Sequence, residues 1–187
     1  MPHFFGRHQR RSVSRAINPG RRTFNGQQRL CRVTKVYDGD TINVVTRLNK
    51  REDYYEYSIR LMGIDAPEMK PPMTMPNRDL HKQAAVAARD RLAEIIPIDS
   101  VVCVEFQKEE KFGRLLGTVH TLKSTWCGCW WKRDIDAGNQ LLQEGMVVEY
   151  SGGSKSEFTD EQLHRIVGTV AMTGRLYPTI YETLEIP

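Results

Sequence analysis

At 187 residues the chain has the length of one domain, with room for a tail, and a body of about 150 residues can bury a core without disulfides or a structural metal. Its 40% hydrophobic and 27% charged content is that of a soluble globular protein, and no apolar run approaches the ~18 residues of a membrane span. No apolar h-region opens the chain, so a secretory signal peptide is not expected and an intracellular location is.

The net charge of +4 conceals an asymmetry. Residues 1–30 hold seven arginines, no lysine and no acid, which leaves 20 basic against 23 acidic residues in 31–187. The basicity therefore belongs to the tail and not to the body. Three readings stand for residues 1–29: a basic arm that attracts polyanions, an Arg-rich transit peptide that directs the chain to an organelle, or an extension with no dedicated role.

Little periodicity marks residues 1–29, and a flexible arm is expected there. Arg32–Tyr37 and Thr41–Thr46 are rich in β-branched residues and flank the tight Asp38-Gly39-Asp40, which predicts two strands around a turn. Residues 49–53 read as a polar hairpin loop. Tyr54–Leu61 alternates: Tyr55, Tyr57, Ile59 and Leu61 share one face, while Arg60 lies on the other with Glu56 and Ser58. Four prolines within 66–79 predict a loop, whose Lys70 and Arg78 suit a flap over a substrate. Lys82–Ile95 predicts the long helix, with Ala85, Ala88, Leu92 and Ile95 on its inner face.

Val101–Phe106 and Leu115–Leu122 complete a set of five strands. Residues 122–133 then lengthen the connection and hold all three tryptophans beside Lys123, Lys132 and Arg133. They are expected to form a hairpin packed on the body, with base stacking as the alternative. Asp136 is placed to cap a short helix that stops at Gly145, and Thr159 with Gln162 spells a capping box for a last helix. The four cysteines lack paired C-x2-C spacing, so reduced thiols are expected; Cys103 in VVCVEF reads as a small buried hydrophobe. The expected class is α+β, mainly β: five short strands closing as an OB-type barrel with three helices. Its bounds are a basic arm at 1–29, a barrel domain at 30–170 and an extension at 171–187.

Three segments carry chemistry: Asp38-Gly39-Asp40-Thr41; Arg60 with Asp65-Ala66-Pro67-Glu68; and Lys111-Phe112-Gly113-Arg114. A phosphodiester resists attack because its oxygens are already anionic, so a catalyst must neutralise charge, align a water and remove its proton. Asp40 and Asp65 are candidate oxygen ligands for a hard divalent ion, too few to bind it tightly unless substrate completes the shell, and the alternative for Asp38-Gly39-Asp40 is an ordinary β-turn. Pro67 pushes Ala66 to an extended conformation and holds Glu68 away from Asp65, so one acid can ligate while the other handles a proton. Arg60 and Arg114 can each grip two phosphate oxygens.

These three motifs, in this order and spacing, resemble those of the thermonuclease family, the staphylococcal nuclease-like domain, over residues 31 to about 168. The resemblance implies an OB-fold barrel and Ca2+-dependent, endonucleolytic cleavage of DNA and RNA with little sequence demand, giving 3′-phosphates. It implies Asp40, Asp65 and the carbonyl of Ala66 as calcium ligands, Glu68 as general base, and Arg60 and Arg114 as catalytic phosphate clamps. Lys111 and Phe112 then contact substrate, with Phe112 standing where the family has tyrosine. Tyr150 lies near the position of a nucleotide-stacking tyrosine but out of register with it. DNA and RNA are the expected partners, no membrane is, and a monomer is the expected state. A non-catalytic OB-fold module that binds nucleic acid is the alternative.

Overall fold

The computed structural model describes residues 25–47, 53–107, 114–124, 131–153 and 157–172. In chain order the elements are β1 (Gln28–Val36), β2 (Thr41–Thr46), β3 (Tyr55–Leu61), β4 (Ile64–Asp65), α1 (Arg78–Ile95), β5 (Val101–Phe106), β6 (Leu115–Ser124), β7 (Trp131–Asp136), α2 (Ala137–Gln143), β8 (Val148–Glu149) and α3 (Asp160–Met172).

β1, β2 and β3 form an antiparallel meander, with Val33 opposite Val44 and Thr41 opposite Arg60. β5 adds to the free edge of β1, and β6 to β5. The first residues of β6 then run parallel to β3, Ile59 opposite Leu115 and Leu61 opposite Gly117. That pairing closes five strands into a barrel, in the order β3-β2-β1-β5-β6 and back to β3. With the three helices of the described residues around it, this is the OB-type α+β fold. Gly117 sits where β6 passes between β3 and β5; a Cβ there would lie 3.0 Å from Val104 Cγ1 and 3.1 Å from the Glu105 carbonyl oxygen.

Among the described residues there are eight strands, against the five expected. Two of the extra ones, β4 and β8, are a two-residue pair. The third, β7, runs antiparallel to the outer half of β6, Lys123 opposite Lys132. The flanks of the 122–133 segment are thus a hairpin; Trp126, Cys127, Cys129 and Trp130 lie outside the described residues. β1 begins at Gln28, two residues ahead of the expected domain boundary, because its first residues pair with Glu105 and Val104 of β5.

The barrel is filled by Val33, Ile42, Val44, Ile59, Leu61, Val102, Val104, Phe106 and Val119, all essentially inaccessible. Along β3 the inner face is graded. Tyr55 is exposed, Tyr57 is half-buried, and Ile59 and Leu61 are sealed, because only the end of the strand lies inside the barrel. α1 turns His81, Ala84, Ala85, Ala88 and Leu92 inward, a 3–4 residue spacing. Its alanines leave room for the close approach of the barrel and of Leu141, Leu163 and Ile166. The helix starts at Arg78 rather than Lys82, and Ile96, not Ile95, is the fully buried residue at its end.

The predicted caps are present. Asp136 Oδ1 accepts the Asn139 N–H at 3.1 Å, and Gly145, at φ 69°, follows α2. Thr159 N–H donates to Gln162 Oε1 at 2.9 Å while Gln162 N–H donates to Thr159 Oγ1 at 3.3 Å. Cys31 is buried, and burial raises its thiol pKa to about 11, an unreactive hydrophobic thiol as at Cys103. No helix among the described residues is long and apolar enough to cross a membrane.

A fork-to-fork pair ties α1 to the end of α2: Arg91 Nε and Nη2 each donate to Glu144 at 2.6 Å. Arg91→Met keeps the apolar stem but removes both charged hydrogen bonds to Glu144 and the one from Nη1 to Glu94. It should lower unfolding free energy by about 1–3 kcal/mol, read from urea denaturation midpoints at unchanged m-value.

Candidate active site

The turn between β1 and β2 shapes the first part of the site. Tyr37 N–H donates to the Thr41 carbonyl at 2.9 Å, and Asp38 Oδ1 accepts the Asp40 N–H at 3.1 Å. Gly39 is required by space: a Cβ there would fall 2.9 Å from the Cβ atoms of both Ala66 and Ala88. Its missing side chain lets the turn dock between the loop after β4 and helix α1. The Asp40 carbonyl then accepts the Leu61 N–H at 2.7 Å, which anchors the turn to the end of β3.

Docked this way, Asp40 meets Arg60. The Arg60 guanidinium is a bridge: Nη1 lies 2.6 Å from Asp40 Oδ2 and Nη2 lies 2.8 Å from Asp65 Oδ1. Nη2 also donates to the Ile64 carbonyl at 3.3 Å. All three charged residues are buried, Asp65 completely. Asp40 is held further by Thr41 Oγ1 at 2.8 Å on Oδ1 and by the Ala66 N–H at 3.1 Å on Oδ2. β4 pairs with β8, Asp65 opposite Val148, which fixes Asp65 from the far side. Burial acts to lower the Arg60 pKa, but the Asp40 and Asp65 carboxylates outweigh it and raise it.

A cleft of about 400 Å³ opens above this bridge. Glu68 and Arg114 line it, so the structure gathers Asp40, Arg60, Asp65, Ala66, Glu68 and Arg114 at one place. Tyr150 joins them: its N–H donates to the Gly63 carbonyl at 2.9 Å, and its ring centroid lies 5.5 Å from Arg60 Cζ, within cation–π range. Lys111 and Phe112 lie outside the described residues.

Tyr37, Asp38 and Gly153 line the cleft as well, beyond the expected site residues. At Asp38, expected to form the turn, burial and then repulsion by Asp40 push the carboxyl up to about 7. With Asp38, the cleft is lined by four carboxyl groups and two guanidiniums. Among the described residues no three His, Cys, Asp or Glu side chains group as metal ligands.

Barrel, bridge and cleft define the class, and the comparison with known sequences agrees. Residues 58–173 match the family described as Staphylococcal nuclease homologue, and the chain belongs to that family. The match contains Arg60, Asp65, Glu68 and Arg114; Asp40 lies before it and is brought in by the fold. The chain is also 27% identical over 169 residues to the protein named Probable endonuclease LCL3 of Paracoccidioides lutzii (strain ATCC MYA-826 / Pb01). That alignment covers 81% of this chain, and the chain spans 46% of the relative's length.

Gly39→Ala puts a methyl group against two Cβ atoms that belong to different elements. It should cost about 1–3 kcal/mol of stability. It should also loosen the seat of Asp40, which heteronuclear NMR would register as shifts at the Leu61 and Ala66 amides, both of which donate to Asp40.

Proposed function

We propose that the protein is a metal-dependent nuclease that hydrolyses phosphodiester bonds in DNA and RNA with little sequence demand at the scissile phosphate, leaving 3′-phosphate ends. The observation that carries this reading is the Asp40–Arg60–Asp65 bridge at the floor of a cleft that Glu68 and Arg114 also line. Family membership supports it, as does the likeness to the relative named Probable endonuclease LCL3.

Asp40 and Asp65 would hold a calcium ion, with the Ala66 carbonyl. The donor set fits: oxygen only, two buried carboxylates brought together on one guanidinium, and an excess of acid over base around the cleft. A group with so few protein oxygens binds weakly by itself and leaves coordination positions to water and to the substrate phosphate. Bound there, the ion supplies charge neutralisation and a fixed orientation for the phosphate.

The chain's own residues supply the rest. Arg114 donates to the non-bridging phosphate oxygens, where negative charge grows in the transition state. Arg60 does the same from the floor once a cation shares the two aspartates with it. Glu68, half-buried and set off from Asp65 by Pro67, accepts the proton of the attacking water as the new P–O bond forms and the bond to O5′ breaks. Tyr150, against Arg60, offers a ring to the nucleotide.

Incubation of the purified protein with plasmid and with RNA should give digestion in Ca2+ and none in chelator, with 3′-phosphate ends on the products. No cleavage in Ca2+, Mg2+ or Mn2+ would refute the proposal. Arg114→Ala should lower kcat roughly 10²–10³-fold with folding intact. Arg60→Ala should do two things at once: abolish turnover and, by leaving two buried carboxylates unpaired, destabilise the fold by about 3–5 kcal/mol. Glu68→Ser should depress kcat far more than calcium affinity measured by titration; equal losses would make Glu68 a ligand instead.

A further inference from the structure

A second cleft of about 560 Å³ lies beside the first and shares Ala66 and Glu68 with it. Its other walls come from the proline-rich loop before α1, from the first turn of α1, and from the residues that lead into α3. We propose that this cleft is a nucleobase subsite, which takes the base next to the scissile phosphate and favours guanine there. The proposal rests on the nuclease reading for its substrate, and it deepens that reading by giving the enzyme a sequence preference.

The shared wall is the first argument. A polynucleotide whose phosphate lies over the Asp40–Arg60–Asp65 bridge has its neighbouring nucleotide at Glu68, the border between the two clefts. The second argument is the lining. Met75, Phe158, Pro72 and Pro76 give apolar, partly flat walls suited to a heteroaromatic ring. The charged groups at its edge, Glu68, Glu157 and Asp160, are all acids. They repel a phosphate, so the part of the substrate that fits here is the base.

Carboxylates only accept hydrogen bonds when ionised. A base is therefore selected by the N–H groups it presents. Guanine offers N1–H beside its N2 amino group, two adjacent donors that one carboxylate can accept together. Uracil and thymine offer a single N–H flanked by carbonyl oxygens, which carboxylates repel. Asp160 already accepts the Asn77 amide at 2.6 Å, which leaves Glu157 as the principal acceptor.

His81 points the same way. It is 9% exposed and lines the cleft from the first turn of α1. A polar ring in the wall of a cavity can donate to a ligand there, and the O6 and N7 acceptors of guanine suit an imidazole N–H. The walls are tied in place: Asn77, at φ 51°, joins the loop to Asp160, and Arg78 Nε donates to the Pro71 carbonyl at 3.2 Å.

Two measurements on the full chain test the subsite. In the first, random-sequence single-stranded DNA and RNA are digested in Ca2+ and the product ends are sequenced. Guanine should be enriched about fivefold or more at one position beside the cut, and Glu157→Gln and His81→Leu should each flatten that enrichment while leaving total turnover within about twofold. An even base distribution, or an enrichment that neither variant moves, overturns the proposal while leaving the nuclease reading intact. In the second, anisotropy in chelator compares a labelled thymidine hexamer with the same hexamer carrying one central guanine. About fivefold tighter binding with guanine, lost in Glu157→Gln, is the expected result. Equal affinities overturn the subsite even if the protein cleaves nothing, so its failure and that of the nuclease reading remain separate.

Discussion

Two buried carboxylates and one buried guanidinium form the arrangement around which this fold is organised. Ions taken out of water are tolerated only when they are paired and hydrogen-bonded. Arg60 pairs with Asp40 and Asp65 at once. The pairing also constrains the backbone. Arg60 can reach Asp40 only because Thr41 lies opposite it in the β2–β3 register. A slip of one residue would turn Arg60 into the barrel and Ile59 out of it. The hydrophobic core and the polar centre therefore enforce the same alignment.

The centre is assembled from remote segments. The turn before β2, the end of β3, the residue before β6 and the strand that follows α2 all converge at the cleft. Barrel closure by β3 and β6 brings Arg114 beside Arg60, and the short β4–β8 pair brings Tyr150. Small side chains make that convergence possible, Gly39 against Ala66 and Ala88 most directly. Nothing in this centre is confined to one loop, so its geometry inherits the stiffness of the barrel.

Much of this was legible in the sequence because the relevant signals are local. Alternation in 54–61, the β-branched runs around Asp38–Asp40, the alanine-rich stretch after residue 82 and both helix caps each reveal themselves within a few residues. Arg60, Asp65 and Glu68 share one short segment and can be judged together. What escaped depends on distant partners. β4 and β8 are too short to leave a pattern, and β7, with Lys132, Arg133 and Asp134 exposed, reads as a loop until β6 is beside it. The first turn of α1 is polar but for Leu80 and follows Pro76, so it resembles the loop it ends. Asp38 looked like a turn former because the chain does not announce that Gly39 will be pressed against a helix. Tyr150 reaches Arg60 through a contact between residues 63 and 150, which sequence spacing alone does not reveal.

The path of β6 has a further consequence. Its inner half is held on both edges, by β5 and by β3, whereas its outer half leaves β3 and pairs with β7 instead. The connection from β6 to β7 therefore starts from a strand that has already left the barrel. Residues can be added to or removed from that connection without re-registering any barrel strand or displacing Arg60. In evolutionary terms it is a permissive site, where a family with a fixed catalytic body can acquire new segments. For the engineer it is a natural point at which to graft a reporter or a targeting module.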